Sequence, residues 1–205
     1  MVVRLYADGA AIRNPGPGGY AAILVWGNER KELSGSYRWT TNNRMEILSC
    51  IEGLRILEVP CKVTVVSDYQ YVVNGINQWI ALWKRKNWIS KKSKKPVLNQ
   101  DLWLELDELM LIHDVHAVWV KAHTHSQSPD AIENRRCDTL AEGEAASCPT
   151  AIHRPYEMLN PPRPKVPSRR LIQKLQPMET QLSLSDHEKL RQSELIWIHS
   201  HLESD

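Results

Sequence analysis

The order in which apolar periodicities follow one another leaves few architectures open to this chain. Over residues 2–8, Val3, Leu5 and Ala7 alternate with Arg4, Tyr6 and Asp8, the period of two that a strand requires. Residues 20–26 and 31–37 read as two further strands, joined at Gly27-Asn28 by a hairpin turn. Between the first two strands, Asn14-Pro15-Gly16-Pro17-Gly18-Gly19 reads as a turn that admits no regular element. The period then changes. Met45, Leu48, Ile51 and Leu54 recur at helical spacing, with Asn42 or Asn43 as cap and Pro60 forbidding continuation. Glu46 lies one residue off that stripe. Val63, Val65 and Val66 form a short apolar run ending at Ser67-Asp68, the pattern of a buried strand in a parallel sheet. Helical stretches over 70–78, 79–86 and 102–112, a strand over 115–120 and a last helix over 134–146 complete the series.

A hairpin set followed by strands alternating with helices predicts an α/β sheet with helices on its faces. Asp8 and Asp68 both fall at strand ends, where such sheets place their sites. A chain of 205 residues accommodates one such domain plus an extension. The boundary is expected near residue 148, because Pro149, Pro155, Pro161, Pro162, Pro164, Pro167 and Pro177 interrupt the remainder of the chain, which reads as a linker. Within residues 149–205, Ser185-Asp186-His187-Glu188 could open a terminal helix with Leu195, Ile198 and Leu202 on one face. Such a helix could dock on its own domain, bind a partner, or fray.

The net charge of +2 is too mild to imply a nucleic-acid partner, but its distribution is uneven. Residues 84–95 hold Lys84, Arg85, Lys86, Lys91, Lys92, Lys94 and Lys95 without one acid; Trp79 and Trp83 lead into them and Trp88 lies among them. Cys50, Cys61, Cys137 and Cys148 lack paired zinc-ligand spacing and are expected as thiols in a reducing compartment. The N-terminal residues fit neither a signal peptide nor a membrane span, so a soluble cytoplasmic protein is expected; a monomer is expected as well.

Four acids are set apart by their contexts: Asp8 before Gly9, Glu46 in Thr40-Thr41-Asn42-Asn43-Arg44-Met45-Glu46, Asp68 in Ser67-Asp68-Tyr69-Gln70-Tyr71-Val72, and Asp138 after Asn134, Arg136 and Cys137. Taken singly, each has an ordinary explanation as a turn, dipole or solvated residue. With the turn from Asn14 to Tyr20, Gln78-Trp79-Ile80, Trp119-Val120-Lys121 and His123, the set resembles type 1 ribonuclease H over residues 2–146. The resemblance implies a ribonuclease H-like fold, a mixed five-stranded sheet flanked by helices, and an endonuclease that hydrolyses the RNA strand of RNA/DNA hybrids, leaving 5′-phosphate and 3′-hydroxyl ends.

Clustered carboxylates need a counter-charge, since two of them 4 Å apart repel by about 4 kcal/mol at an effective dielectric near 20. Two Mg²⁺ ions would supply it, with Mn²⁺ an alternative. By resemblance, Asp8 bridges both ions, Asp138 completes the one that activates water, and Glu46 with Asp68 holds the one at the leaving 3′ oxygen. His123 is similar to the mobile histidine that assists water or product movement, with His125 a near rival. Asn14, Asn42, Asn43, Arg44, Gln70 and Asn134 are implied to face the minor groove and phosphates. Trp79, Trp83, Lys84, Arg85 and Lys86 resemble the basic protrusion that grips the DNA strand. A hybrid differs from either homoduplex in its 2′-hydroxyls and groove shape, which such contacts can read. Ala10, Ala11 and Ala122 depart from residues common in relatives, and residues 124–133 lengthen the loop between His123 and Asp138. A resolvase or integrase of the same fold is the rival nuclease, and a non-catalytic hybrid-binding module, expected to lack at least one carboxylate, is the rival of another class.

Overall fold

A computed structural model describes residues 1–148 other than 123 and 125. His123, His125 and the expected terminal helix therefore lie outside the described residues. The elements are β1 (Val2–Ala11), β2 (Gly16–Trp26), β3 (Glu29–Thr40), α1 (Asn42–Arg55), β4 (Lys62–Ser67), α2 (Gln70–Asn74), a π-helical turn (Gly75–Trp79), α3 (Ile80–Lys84), α4 (Gln100–Met110), β5 (Asp114–Trp119) and α5 (Pro129–Ser147). Strand order is β3-β2-β1-β4-β5, antiparallel through the hairpin set and parallel from β1 to β4 to β5. This is the mixed five-stranded sheet that the resemblance implies. Among the described residues no helix is long and apolar enough to cross a membrane.

β1 is central, and its alternation distributes it between two helical layers. Leu5 and Gly9 meet α1, whereas Tyr6 joins Ala21, Ile23, Val66, Cys137 and Ala141 in a core against α5. Asp8 is one strand period from Tyr6 and so stands on the α5 face. The stripe Met45, Leu48, Ile51 and Leu54 is fully buried, as helical spacing predicts, and Trp103, Leu102 and Leu106 of α4 fill the same layer. Glu46, off the stripe, is nonetheless buried, because α1 is covered both by the sheet and by α4.

Three expectations are corrected. Gly16 to Gly19 belong to β2, not to a turn; a bulge separates Gly16 from Gly18, and Gly18 and Gly19 pair with Ala11 and Ala10. Gly19 is required by close approach, since a Cβ there would lie 2.3 Å from the Ala141 carbonyl oxygen of α5. Neither Asn42 nor Asn43 caps α1: Thr41 is its N-cap, in extended conformation, and both asparagines are inside the first turn. α5 begins at Pro129, five residues before Asn134, with the Ser128 hydroxyl accepting from the Ala131 N–H. Residues 129–133 are thus helix, and the long loop is shorter by that much.

The helical region after Asp68 holds one irregularity. At the π turn, Gly75 lies where a Cβ would be 2.2 Å from the Trp103 ring. In the same turn Asn77 makes a two-way bond with Ala117 in the edge strand β5: its Nδ2 donates to the carbonyl (2.8 Å) and its Oδ1 accepts the N–H (2.9 Å). An aromatic series runs outward from the core through Trp103, Tyr71, Trp79, Trp83 and Trp88, with neighbouring ring centroids 5.3–6.1 Å apart. It supports the cationic segment, in which Arg85, Lys86, Lys91, Lys92, Lys94 and Lys95 are exposed.

Candidate active site

Four elements converge at the carboxyl end of β4. Asp8 comes from β1, Glu46 from α1, Asp68 from the first residue past β4, and Asp138 from α5. Asp8, Glu46 and Asp68 are each held differently. Asp8, 6% exposed, accepts from the Gly9 N–H at 2.7 Å. Burial pushes its carboxyl up to about 8, with the charges of Asp68, Asp138 and Glu142 acting in the same direction. Glu46, 4% exposed, accepts from Asn42 Nδ2 at 3.3 Å. It too is raised well above the ordinary range, by burial first and then by Asp8 and Asp68. The Gly9 N–H faces both carboxylates, because Gly9 lets the backbone of α1 rest directly on β1. Asp68 is partly exposed and accepts from Asn134 Nδ2 at 2.8 Å through Oδ2.

The site fits a divalent cation. Glu46 Oε2 is buried with no hydrogen-bond partner, an acceptor left for something that is not protein. A divalent cation would favour the ionised form of both carboxyls, against the burial that raises them. Among the described residues, no three His, Cys, Asp or Glu side chains converge tightly enough to form a metal cage by themselves. Mg²⁺ does not need one, since it keeps several waters and takes one or two carboxylates plus substrate phosphates.

The residues expected to touch nucleic acid are arranged in two ways. Several hold one another. Asn14 Oδ1 accepts from the Asn42 backbone N–H (3.2 Å), and Asn43 Oδ1 accepts from the Tyr69 hydroxyl (2.8 Å). Arg44 forms a two-bond ion pair with Asp101, the NH1 bond at 3.0 Å, which joins the starts of α1 and α4. Asn134 is 3% exposed and committed to Asp68. Lys84 pairs with Asp107 at 2.9 Å. Gln70, Arg85 and Lys86 are open to solvent, and Trp79 and Trp83 are half-buried in the aromatic series. One role at the site escaped sequence reasoning: that of Trp119 in β5, whose Nε1–H donates to the Asp68 carbonyl at 2.8 Å. Its signal was weak, a Trp at a strand end directly before the Val120-Lys121 pair.

Comparison with known proteins shows the family and the fold. Residues 1–146 match the family model described as RNase H. A Ribonuclease H of Aeromonas hydrophila is 52% identical over 145 residues, covering 71% of this chain and 90% of the relative. That of Syntrophus aciditrophicus is 50% identical over 145 residues, covering 70% and 80%. Among solved structures, LC9-RNase H1, a type 1 RNase H with the type 2 active-site motif, superposes with a TM-score of 0.63 at 25% identity, covering 77% of this chain and 79% of that one. The PFV RNase H domain shares the fold, with a TM-score of 0.59 at 23% identity over 70% of this chain and 94% of that one. Fold and site together define a nuclease built on the ribonuclease H-like sheet, with its acids gathered around the carboxyl end of β4. The chain belongs to the RNase H family, and it is an endoribonuclease.

Proposed function

We propose that this protein, acting as a monomer in the cytoplasm, hydrolyses the RNA strand of RNA/DNA hybrids with two Mg²⁺ ions, leaving 5′-phosphate and 3′-hydroxyl ends. The buried pair Asp8 and Glu46, with Glu46 Oε2 lacking a partner, carries the reading. Asp8, Glu46, Asp68 and Asp138 would hold the ions. Bound divalent cations supply an activated water and a counter-charge for the leaving oxygen of an in-line displacement. Asp8 and Glu46 must surrender their protons to take part, and their burial keeps water from screening them. Asn14, Asn42, Asn43 and Gln70 flank the acids and offer amides suited to sugar hydroxyls and phosphates. The four cysteines, all buried and none in a disulfide, suit a reducing setting. Residues 149–205 read as a separate extension that could serve a partner.

A strand-labelled RNA/DNA hybrid, incubated beside matched RNA and DNA duplexes with Mg²⁺ or EDTA, tests this directly. Metal-dependent cutting of the hybrid's RNA strand alone is expected, and Asp68→Asn should abolish it. A hybrid that binds but stays intact with both Mg²⁺ and Mn²⁺ would instead favour a binding module.

The cationic segment predicts a second result. Arg85→Gln with Lys86→Gln should weaken hybrid binding and flatten the plot of log K against log salt by up to about 0.9 for each phosphate no longer neutralised. An unchanged slope would remove the segment from the substrate interface.

A further inference from the structure

Asp68 stands where the chain has left β4 and not yet entered α2, so regular backbone bonding does not fix its peptide plane. The β4–β5 ladder closes one residue earlier, with the Val120 N–H donating to the Ser67 carbonyl at 3.1 Å. The first acceptor of α2 is one residue later, the Tyr69 carbonyl, which takes the Val72 N–H at 3.0 Å. Between them the Asp68 carbonyl is taken by the Trp119 indole Nε1–H at 2.8 Å. From the opposite side, Asn134 Nδ2 reaches Asp68 Oδ2 at 2.8 Å. One bond sets the peptide plane and therefore the direction of the Cα–Cβ bond. The other sets the rotation of the carboxylate and occupies one of its oxygens. The two donors come from separate elements, β5 and α5, so no local helix or turn accounts for their meeting at one residue. Asn134 is 3% exposed; its Nδ2 is directed to this carboxylate, while its Oδ1 is buried without a hydrogen-bond partner.

We propose that Trp119 and Asn134 are positioning residues that fix Asp68 before any cation arrives. Asn134, in this assignment, acts through Asp68 and not on the substrate. Trp119, 46% exposed at the edge of the sheet, acts through its N–H more than through its packing. Outer donors that orient a ligating carboxylate commonly change metal affinity or activity by about 10–100-fold when removed, because a mobile ligand must be ordered at the moment of binding.

The inference rests on Asp68 being a metal ligand, and the experiment separates the two claims. Trp119→Phe removes the N–H and keeps a ring; Asn134→Ala removes the amide. For each, and for both together, three quantities are read: Mg²⁺ binding to the substrate-free protein by calorimetry, the Asp68 carboxyl ¹³C resonance without metal, and kcat and KM at saturating Mg²⁺. Expected are a displaced resonance, Mg²⁺ binding weakened by about 10–100-fold, and a lower kcat at unchanged KM. The double variant should lose less than the product of the single losses, since both act on one group. Wild-type Mg²⁺ affinity and resonance in either variant, or a raised KM with kcat kept, overturns the assignment for that residue. Asp68→Asn provides the control. If it leaves Mg²⁺ binding and cleavage intact, the ligand reading itself falls; if it abolishes them while the other variants behave as wild type, only the positioning role falls. The two single variants lie on different elements, so unfolding of one leaves the other as the test.

Discussion

Asp8→Asn should inactivate the enzyme and make its metal-free form harder to unfold. Asp8 is 6% exposed, accepts one bond from Gly9 and faces the charges of Asp68, Asp138 and Glu142. Its carboxyl keeps its proton up to about pH 8 in the folded protein, against an ordinary value of 3.8. The native state therefore binds the proton more tightly than the unfolded chain. The stability this confers is complete below about pH 3.8 and is lost as pH rises through about 8. At about 1.4 kcal/mol for each unit, ionising Asp8 by pH 8 opposes folding by several kcal/mol. Asparagine cannot ionise, so urea unfolding in EDTA should show the variant ahead by roughly 2–4 kcal/mol at pH 8.5 and level with wild type at pH 4. Cleavage should fall by three decades or more, the equivalent of about 4 kcal/mol of transition-state stabilisation. Added Mg²⁺ should narrow the stability gap, because only the wild type gains binding energy. Equal stability at pH 8.5 would mean that Asp8 is not strained by its neighbours.

Gly9→Ala is expected to damage both fold and site through a single methyl group. A Cβ there would fall 2.3 Å from the Glu46 nitrogen and 2.4 Å from the Met45 carbonyl carbon, both backbone atoms that no rotamer change can move. Helix α1 would have to retreat from β1, at a cost of about 3 kcal/mol. For a domain of this size that is a melting point lower by roughly 6–12 °C. The retreat would separate Asp8 from Glu46, so extra Mg²⁺ should not restore activity. Gly143 in α5 is the contrast, since its Cβ would meet nothing within 4 Å. Gly143→Ala should stabilise the helix by up to about 1 kcal/mol and leave cleavage untouched. Calorimetric melting and a cleavage assay across Mg²⁺ concentrations distinguish the two positions.

Most of the sheet was legible because burial imposes a period. Val3, Leu5 and Ala7 in β1, and Val63, Val65 and Val66 in β4, are core residues in the structure as in the pattern. So were the elements that carry the four acids, although Asp8 lies three residues inside β1 and not at its end, because the pairing with β2 continues through Ala11. What failed was chemistry with two uses. Gly16, Gly18 and Gly19 carry the marks of a turn, yet they sit in β2, and Gly18 and Gly19 leave room for packing neighbours. Ser128-Pro129 is a cap followed by a first-turn proline, a helix start that the apolar pattern near Asn134 does not reveal. Long-range partners were beyond reach for a different reason. Nothing local to Arg44 points to Asp101, 57 residues away, and nothing local to Trp119 points to the Asp68 carbonyl. Such bonds depend on how elements pack, and periodicity does not record that.

The bond between Asn77 and Ala117 bears on how these molecules behave towards each other. An edge strand presents unpaired backbone groups that invite a strand from another chain, the starting point of aggregation. In the middle of β5 that invitation is withdrawn: one side-chain amide takes both the N–H and the carbonyl that a sixth strand would need. Lateral growth of the sheet is blocked there by a single residue. The enzyme can thus carry an open-ended parallel sheet into a crowded solution without recruiting a foreign strand at its centre.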